Sequence, residues 1–131
     1  NRPESEVKAL FKKILGETGK FQDWGGEKND LLSTRLKFKG RRTSVALGLK
    51  GKGASGKLTP KKMGKNGDQI QRLFSSSANV LLVQYVGDID ESVIDQMKIF
   101  AISKSVMENT PIYYGVIDGK DTERLFSAYQ R

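Results

Sequence analysis

Cysteine and histidine are both missing from this chain of 131 residues. Without cysteine there is no disulfide framework, no thiolate nucleophile and no sulfur-ligated metal, and a reducing compartment is permitted. Without histidine there is no imidazole general base, no serine–histidine or cysteine–histidine pair, and almost no means of holding a transition metal. Carboxylates, lysines and amides remain, and hard oxygen-seeking ions such as magnesium are the metals that suit them. Long apolar runs are also absent. None approaches the roughly 20 residues needed to span a bilayer, and no signal-peptide pattern is present, so the expectation is a soluble, cytoplasmic chain with no membrane partner. A hydrophobic content of 37 % over this length is enough for one core, and the chain is expected to form a single domain over residues 1–131. It opens on Asn1, not methionine, which is expected of a piece of a longer protein.

The absence with the sharpest consequence is local. Between Leu31 and Gly67 there is no aspartate or glutamate, while eleven lysines and arginines fall in the same stretch (Arg35, Lys37, Lys39, Arg41, Arg42, Lys50, Lys52, Lys57, Lys61, Lys62 and Lys65). The remainder carries twelve basic and fifteen acidic residues, a net of −3, so the whole +8 excess resides in one segment bracketed by Asp30 and Asp68. A concentrated positive field attracts polyanions, because each phosphate that is neutralised releases condensed counterions and the field steers encounter from a distance. Nucleic acid is the partner such a block fits, although lysine-rich loops also serve as plain solvated surface.

The apolar spacing orders the chain. Val7, Leu10, Phe11, Ile14 and Leu15 predict a helix over residues 4–17, and Leu31–Phe38 and Thr43–Leu49 read as two strands of a hairpin joined by the basic turn Lys39-Gly40-Arg41-Arg42. In the second run Val45, Leu47 and Leu49 share one face, with Ala46, Gly48 and Lys50 on the other, by the two-residue period of a strand. Gly51–Gly67 reads as a mobile glycine-lysine loop leading to a helix that ends near Phe74. Asn79–Val86 is the strongest strand, apolar on both faces, and Asp90 offers an N-cap to a long helix containing Val93, Met97 and Ala101. A strand over Pro111–Ile117 and a helix over Thr122–Tyr129 close the chain. The expected architecture is α/β, a mixed sheet flanked by helices in the order α-β-β-α-β-α-β-α, whose strand-helix-strand portion pairs in parallel.

That order, with Asp30 at the start of the first strand, Lys50 near the end of the second, and Gln69 and Gln71 opening the next helix, resembles the PD-(D/E)XK restriction-endonuclease-like superfamily. The resemblance implies a magnesium- or manganese-dependent nuclease that hydrolyses phosphodiester bonds in DNA or RNA, such as the effector domain of a defence or toxin protein. Asp30 and Glu27 would hold the metal, Lys50 would sit beside the scissile phosphate, and Gln69 would help to position the lysine or the water. The pattern departs at Gly48, which occupies the acid position of the acid-X-lysine triplet without a carboxylate; Glu27 supplies the second acid, with Glu6 and Glu17 as alternatives. Asp30 also reads as a turn residue and Lys50 as a strand-end lysine in solvent.

Arg41, Arg42, Lys52, Lys57, Lys61, Lys62 and Lys65 are the candidate phosphate contacts, and Trp24 is a candidate for stacking on a base or for a place in the core. A phosphate-binding loop built on Gly51, Gly56 and Lys57 fails at Leu58, where serine or threonine is needed. Beside the nuclease stand a non-catalytic nucleic-acid-binding module of the same fold, a domain that meets an acidic inhibitor or immunity protein, and a nucleotide-binding domain.

Overall fold

The computed structural model describes residues 4–15, 31–38, 40–50, 56–63 and 68–129. The elements are α1 (Glu4–Leu15), β1 (Leu31–Phe38), β2 (Arg41–Lys50), a 3₁₀ turn (Pro60–Lys62), α2 (Gln69–Phe74), β3 (Val80–Tyr85), α3 (Glu91–Glu108), β4 (Tyr113–Ile117) and α4 (Gly119–Tyr129). The strands form one mixed sheet in the order β1-β2-β3-β4. β1 runs antiparallel to β2, and β2, β3 and β4 run parallel to one another. The hairpin turns at Gly40, whose φ of 78° suits a residue with no Cβ. Phe38 pairs directly with Arg41, so Arg41 and Arg42 belong to β2 and not to the expected four-residue turn.

Helices cover both faces. Ala46 of β2 and Leu81, Val83 and Tyr85 of β3 pack with Ile70, Leu73 and Phe74 of α2 and with Val93, Met97 and Ala101 of α3. On the opposite face Leu47 and Leu49 pack with Val7, Leu10 and Phe11 of α1 and with Phe126 of α4. The alternation read along β2 therefore separates two cores, and burial on both faces explains why β2 and β3 are almost continuously apolar. Lys50, two residues beyond Gly48 and four beyond Ala46, belongs to the face that α2 and α3 cover.

Local chemistry sets the helix ends. The Asp90 carboxylate accepts from the Ser92 amide at 3.0 Å and from the Ser92 hydroxyl, which caps α3, and Asn109 closes that helix in the left-handed conformation. Asp118 and Asp121 hold the start of α4 reciprocally: the Asp121 amide donates to Asp118 Oδ1 at 2.9 Å and the Asp118 amide donates to Asp121 at 3.4 Å. Gly119 then passes so close to the β3–α3 connection that a Cβ there would lie 2.3 Å from the Val86 carbonyl oxygen. A buried lysine joins α3 to the turn before β3. The Lys104 ammonium donates to the Ser76 carbonyl and to Glu108, each at 2.6 Å, which satisfies a charge that burial would otherwise penalise.

Candidate nucleic-acid interface

The parallel strands β2 and β3 end side by side, with Lys50 in register with Tyr85. Register partners in a parallel pair share a face, so Lys50 lies next to the Tyr85 ring on the α2/α3 side. Tyr85 is buried, and its hydroxyl donates to the Gly56 carbonyl at 2.6 Å. That bond ties the segment after β2 back to the sheet at the level of Lys50.

The segment is tied a second time. Leu58 is fully buried and forms a parallel bridge with Ile89; its amide donates to the Asp88 carbonyl at 2.8 Å, and the Asp90 amide donates to the Leu58 carbonyl at 2.9 Å. Met63 is buried in the same core as Leu58. Between these anchors the 3₁₀ turn lifts Lys61 and Lys62 into solvent. Residues 56–63 are thus a built platform, a correction to the mobile loop expected from their glycine and lysine content. Leu58, which spoils the phosphate-binding-loop pattern, does so as a core residue.

On this platform Lys57, Lys61 and Lys62 are exposed. The Lys62 ammonium reaches back to the Lys57 carbonyl at 2.8 Å, passing over Gly56, whose φ of 71° is the conformation that L side chains rarely adopt. Lys57 lies 3.5 Å from Asp90, the cap of α3. The Asp90 carboxyl is held below the ordinary aspartate value of 3.8, chiefly by the Ser92 hydroxyl, then by the Ser92 amide, with the Lys57 ammonium adding a smaller pull. Asp90 therefore stays charged and serves two partners at once.

No protein-family model, curated protein or solved structure matches the chain. The geometry of its own residues is what a functional reading rests on.

Of the expected catalytic set, Lys50 and Gln69 lie on the same side of the sheet. Gln69 opens α2, is buried at the edge of that core, and donates its backbone amide to the Met63 carbonyl at 3.0 Å, which links α2 to the platform. Asp30 and Glu27 lie outside the described residues, as do Trp24, Glu17, Lys52 and Lys65. What is described is the strand that Asp30 precedes: Leu31 pairs with Leu47, so β1 begins one residue short of the level of Gly48. Glu6 sits on α1, whose apolar side packs on the opposite face from Lys50, so the sheet separates the two. Among the described residues no group of three or more aspartates or glutamates is gathered to hold a metal ion.

Among the described basic residues, those of β2 stand at two ends of the strand. Arg41 is exposed at the start of β2 and Lys50 stands at its end, up to roughly 30 Å away along a ten-residue strand. Arg42 is a β2 residue next to Arg41. The structure does not bring these arginines to the Lys57–Lys62 platform. Two contributors escaped the reading of the sequence. Tyr85, inside an apolar strand, holds the platform from below, and Asp90, recognised only as a helix cap, pairs with Lys57.

Proposed function

We propose that this domain binds nucleic acid across the Lys57–Lys62 platform and hydrolyses phosphodiester bonds beside Lys50 as a magnesium- or manganese-dependent nuclease of restriction-endonuclease-like fold. The observation that carries the reading is the placement of Lys50 at the carboxyl end of parallel strands, on the face shared with Gln69 and beside a cationic segment tied down by Tyr85. Crevices outside the carboxyl ends of strands are where open α/β sheets bind ligands. Asp30 and Glu27 would supply the carboxylate oxygens for the metal. The start of β1 at Leu31, opposite Leu47 and one residue short of Gly48, supports that assignment, because Asp30 directly precedes it in the chain.

The division of labour follows from charge. A bound magnesium ion neutralises the developing negative charge and makes a water nucleophilic. The Lys50 ammonium would hold the scissile phosphate or orient the water, and Gln69 would fix the geometry around them. Lys57, Lys61 and Lys62 would engage flanking phosphates, a contact that positions the strand without reading its sequence. Effector activity in the cytoplasm, as part of a defence or toxin protein under the control of an acidic inhibitor, is the setting this chemistry fits.

Gly48 favours a second reading, binding without cleavage, because the strand position that would carry an acid carries a hydrogen. One experiment separates the two. The purified chain is incubated with plasmid, single-stranded DNA and total RNA, with and without magnesium or manganese. Metal-dependent cleavage that is lost in Lys50→Ala and Asp30→Asn, with binding retained, is the expected result. Binding without cleavage under every condition leaves the non-catalytic module.

A further inference from the structure

The platform has an acidic border, and backbone bonds fix it there. In the parallel bridge between Leu58 and Ile89 the Leu58 amide donates to the Asp88 carbonyl and the Asp90 amide to the Leu58 carbonyl, so Asp88-Ile89-Asp90 runs alongside Lys57-Leu58-Thr59. Leu58 is in the core and Ile89 packs against it, which pins both segments. Asp88 and Glu91 are exposed on either side of the half-buried Asp90.

Asp90 divides its two oxygens between two tasks. Oδ2 accepts from the Ser92 amide at 3.0 Å and from the Ser92 hydroxyl, and Oδ1 faces the Lys57 ammonium at 3.5 Å. An ordinary surface ion pair loses side-chain entropy on both partners. Here the cap already fixes the carboxylate, so only the lysine has to be ordered. The Lys57 side chain remains 58 % exposed, which leaves its ammonium open to an incoming phosphate.

We infer that Asp90 is an internal competitor of phosphate: it occupies Lys57 in the free protein, and nucleic acid that arrives on Lys61 and Lys62 draws Lys57 away from it. The inference rests on the reading of this segment as a phosphate-binding surface. Lys57 then contributes less to binding than an unpaired lysine would, because its contact with phosphate replaces one with Asp90. The carboxylate released in the exchange stays at the border of α3, still held by Ser92, with Asp88 and Glu91 beside it. Like charge keeps the bound strand from spreading over α3, so the platform has a cationic side and an anionic limit. Moderated affinity suits a surface that has to let a cleaved strand go.

The test is a double-mutant cycle on binding by the whole chain, in buffer without divalent metal so that nothing is cleaved. Fluorescence anisotropy is read with a labelled DNA duplex, a labelled DNA single strand and a labelled RNA. Asp90→Asn keeps an oxygen for the Ser92 amide, and asparagine caps helices about as well as aspartate. It should tighten binding about two- to fivefold for every probe that binds, the range an exposed ion pair spans. Asp90→Ser, a second uncharged cap, should do the same, with α3 checked in both by circular dichroism. The gain should vanish in a Lys57→Gln background, where there is no ammonium to release. Glu91→Gln removes the same charge one residue away and leaves the pair intact, so its effect should be smaller. If the wild type binds and neither Asp90 variant is tighter, if the gain persists in the Lys57→Gln background, or if Glu91→Gln matches it, the inference is overturned while the nucleic-acid reading stands. If neither the wild type nor the Asp90 variants bind any probe at low salt, that reading falls and this inference with it.

Discussion

Lys50 and Tyr85 stand side by side in the parallel register of β2 and β3, and the Tyr85 hydroxyl reaches past the strand end to the Gly56 carbonyl at 2.6 Å. One phenol thereby couples the strand that carries Lys50 to the segment that carries Lys57, Lys61 and Lys62.

Tyr85→Phe removes that bond while keeping the ring in its core. The expected cost is about 1 kcal/mol of stability, read from urea unfolding. Hydrogen exchange should quicken at the Leu58 amide, which the platform protects through its bond to the Asp88 carbonyl. Unchanged exchange at Leu58 would show that the bridge to Ile89 alone holds the platform.

Replacing Lys61 and Lys62 by glutamine should weaken nucleic-acid binding to the same degree for every sequence. Both are exposed, and the Lys57 carbonyl takes one of the three donors of Lys62. On duplex DNA the slope of log K against log salt should become shallower by roughly 0.9 for each phosphate that is no longer neutralised. A slope identical to that of the wild type would place the binding surface elsewhere.

Gly119→Ala and Gly115→Ala should diverge. At 119 the new methyl would meet the Val86 carbonyl oxygen at 2.3 Å, backbone against backbone, and the start of α4 must move. A loss of about 1–3 kcal/mol is expected in thermal unfolding. At 115 the nearest atom is a leucine methyl at 3.5 Å, and the strand should be neutral or gain about 0.5 kcal/mol. Equal effects at the two sites would mean that the α4 start yields without cost.

Acid should weaken the capping of α3 at its amino end in a defined window. The Asp90 carboxyl titrates below its ordinary value of 3.8, so its contribution to stability is fully present above that value and is lost as the pH falls through its lower folded value. Asp90→Asn keeps an oxygen to accept from Ser92 but carries no charge. Urea midpoints compared between about pH 6 and about pH 2 should therefore converge for the two proteins at the acid end. Curves that run parallel over the whole range would mean that the charge of Asp90 adds nothing to the cap.

Periodicity made much of this architecture legible. The alternation along β2 is a consequence of pleat geometry, so the assignment of Gly48 and Lys50 to one face and of Leu47 and Leu49 to the other needed no knowledge of neighbours. The Asp90 cap was equally plain, because an acceptor two residues from the amide it serves is local chemistry. Leu31–Phe38 could be bounded by its flanking turn residues for the same reason. The start of β4 lies two residues further in than expected, at Tyr113, and the start of α4 three residues earlier, because Asp118 caps a helix that begins at Gly119, ahead of its first apolar residue.

The candidate site was legible only in part. Lys50 and the exposed lysines of the platform announce themselves by charge, but a single leucine in a run of glycine and lysine has no period, and nothing in the sequence marks Leu58 as a core residue. Nor does an apolar strand reveal that Tyr85 will bond a carbonyl 29 positions earlier. What this sequence determined by itself was each strand's two faces, each helix's stripe and the place of its charge, because those follow from the chain's own repeat. Tertiary structure alone decided which strand end meets which loop, and that, among the described residues, Arg41 stands at one end of β2 while Lys50 and the Lys57–Lys62 platform stand at the other. Register between strands is set by the combined packing of both cores, and no short stretch of chain contains that information.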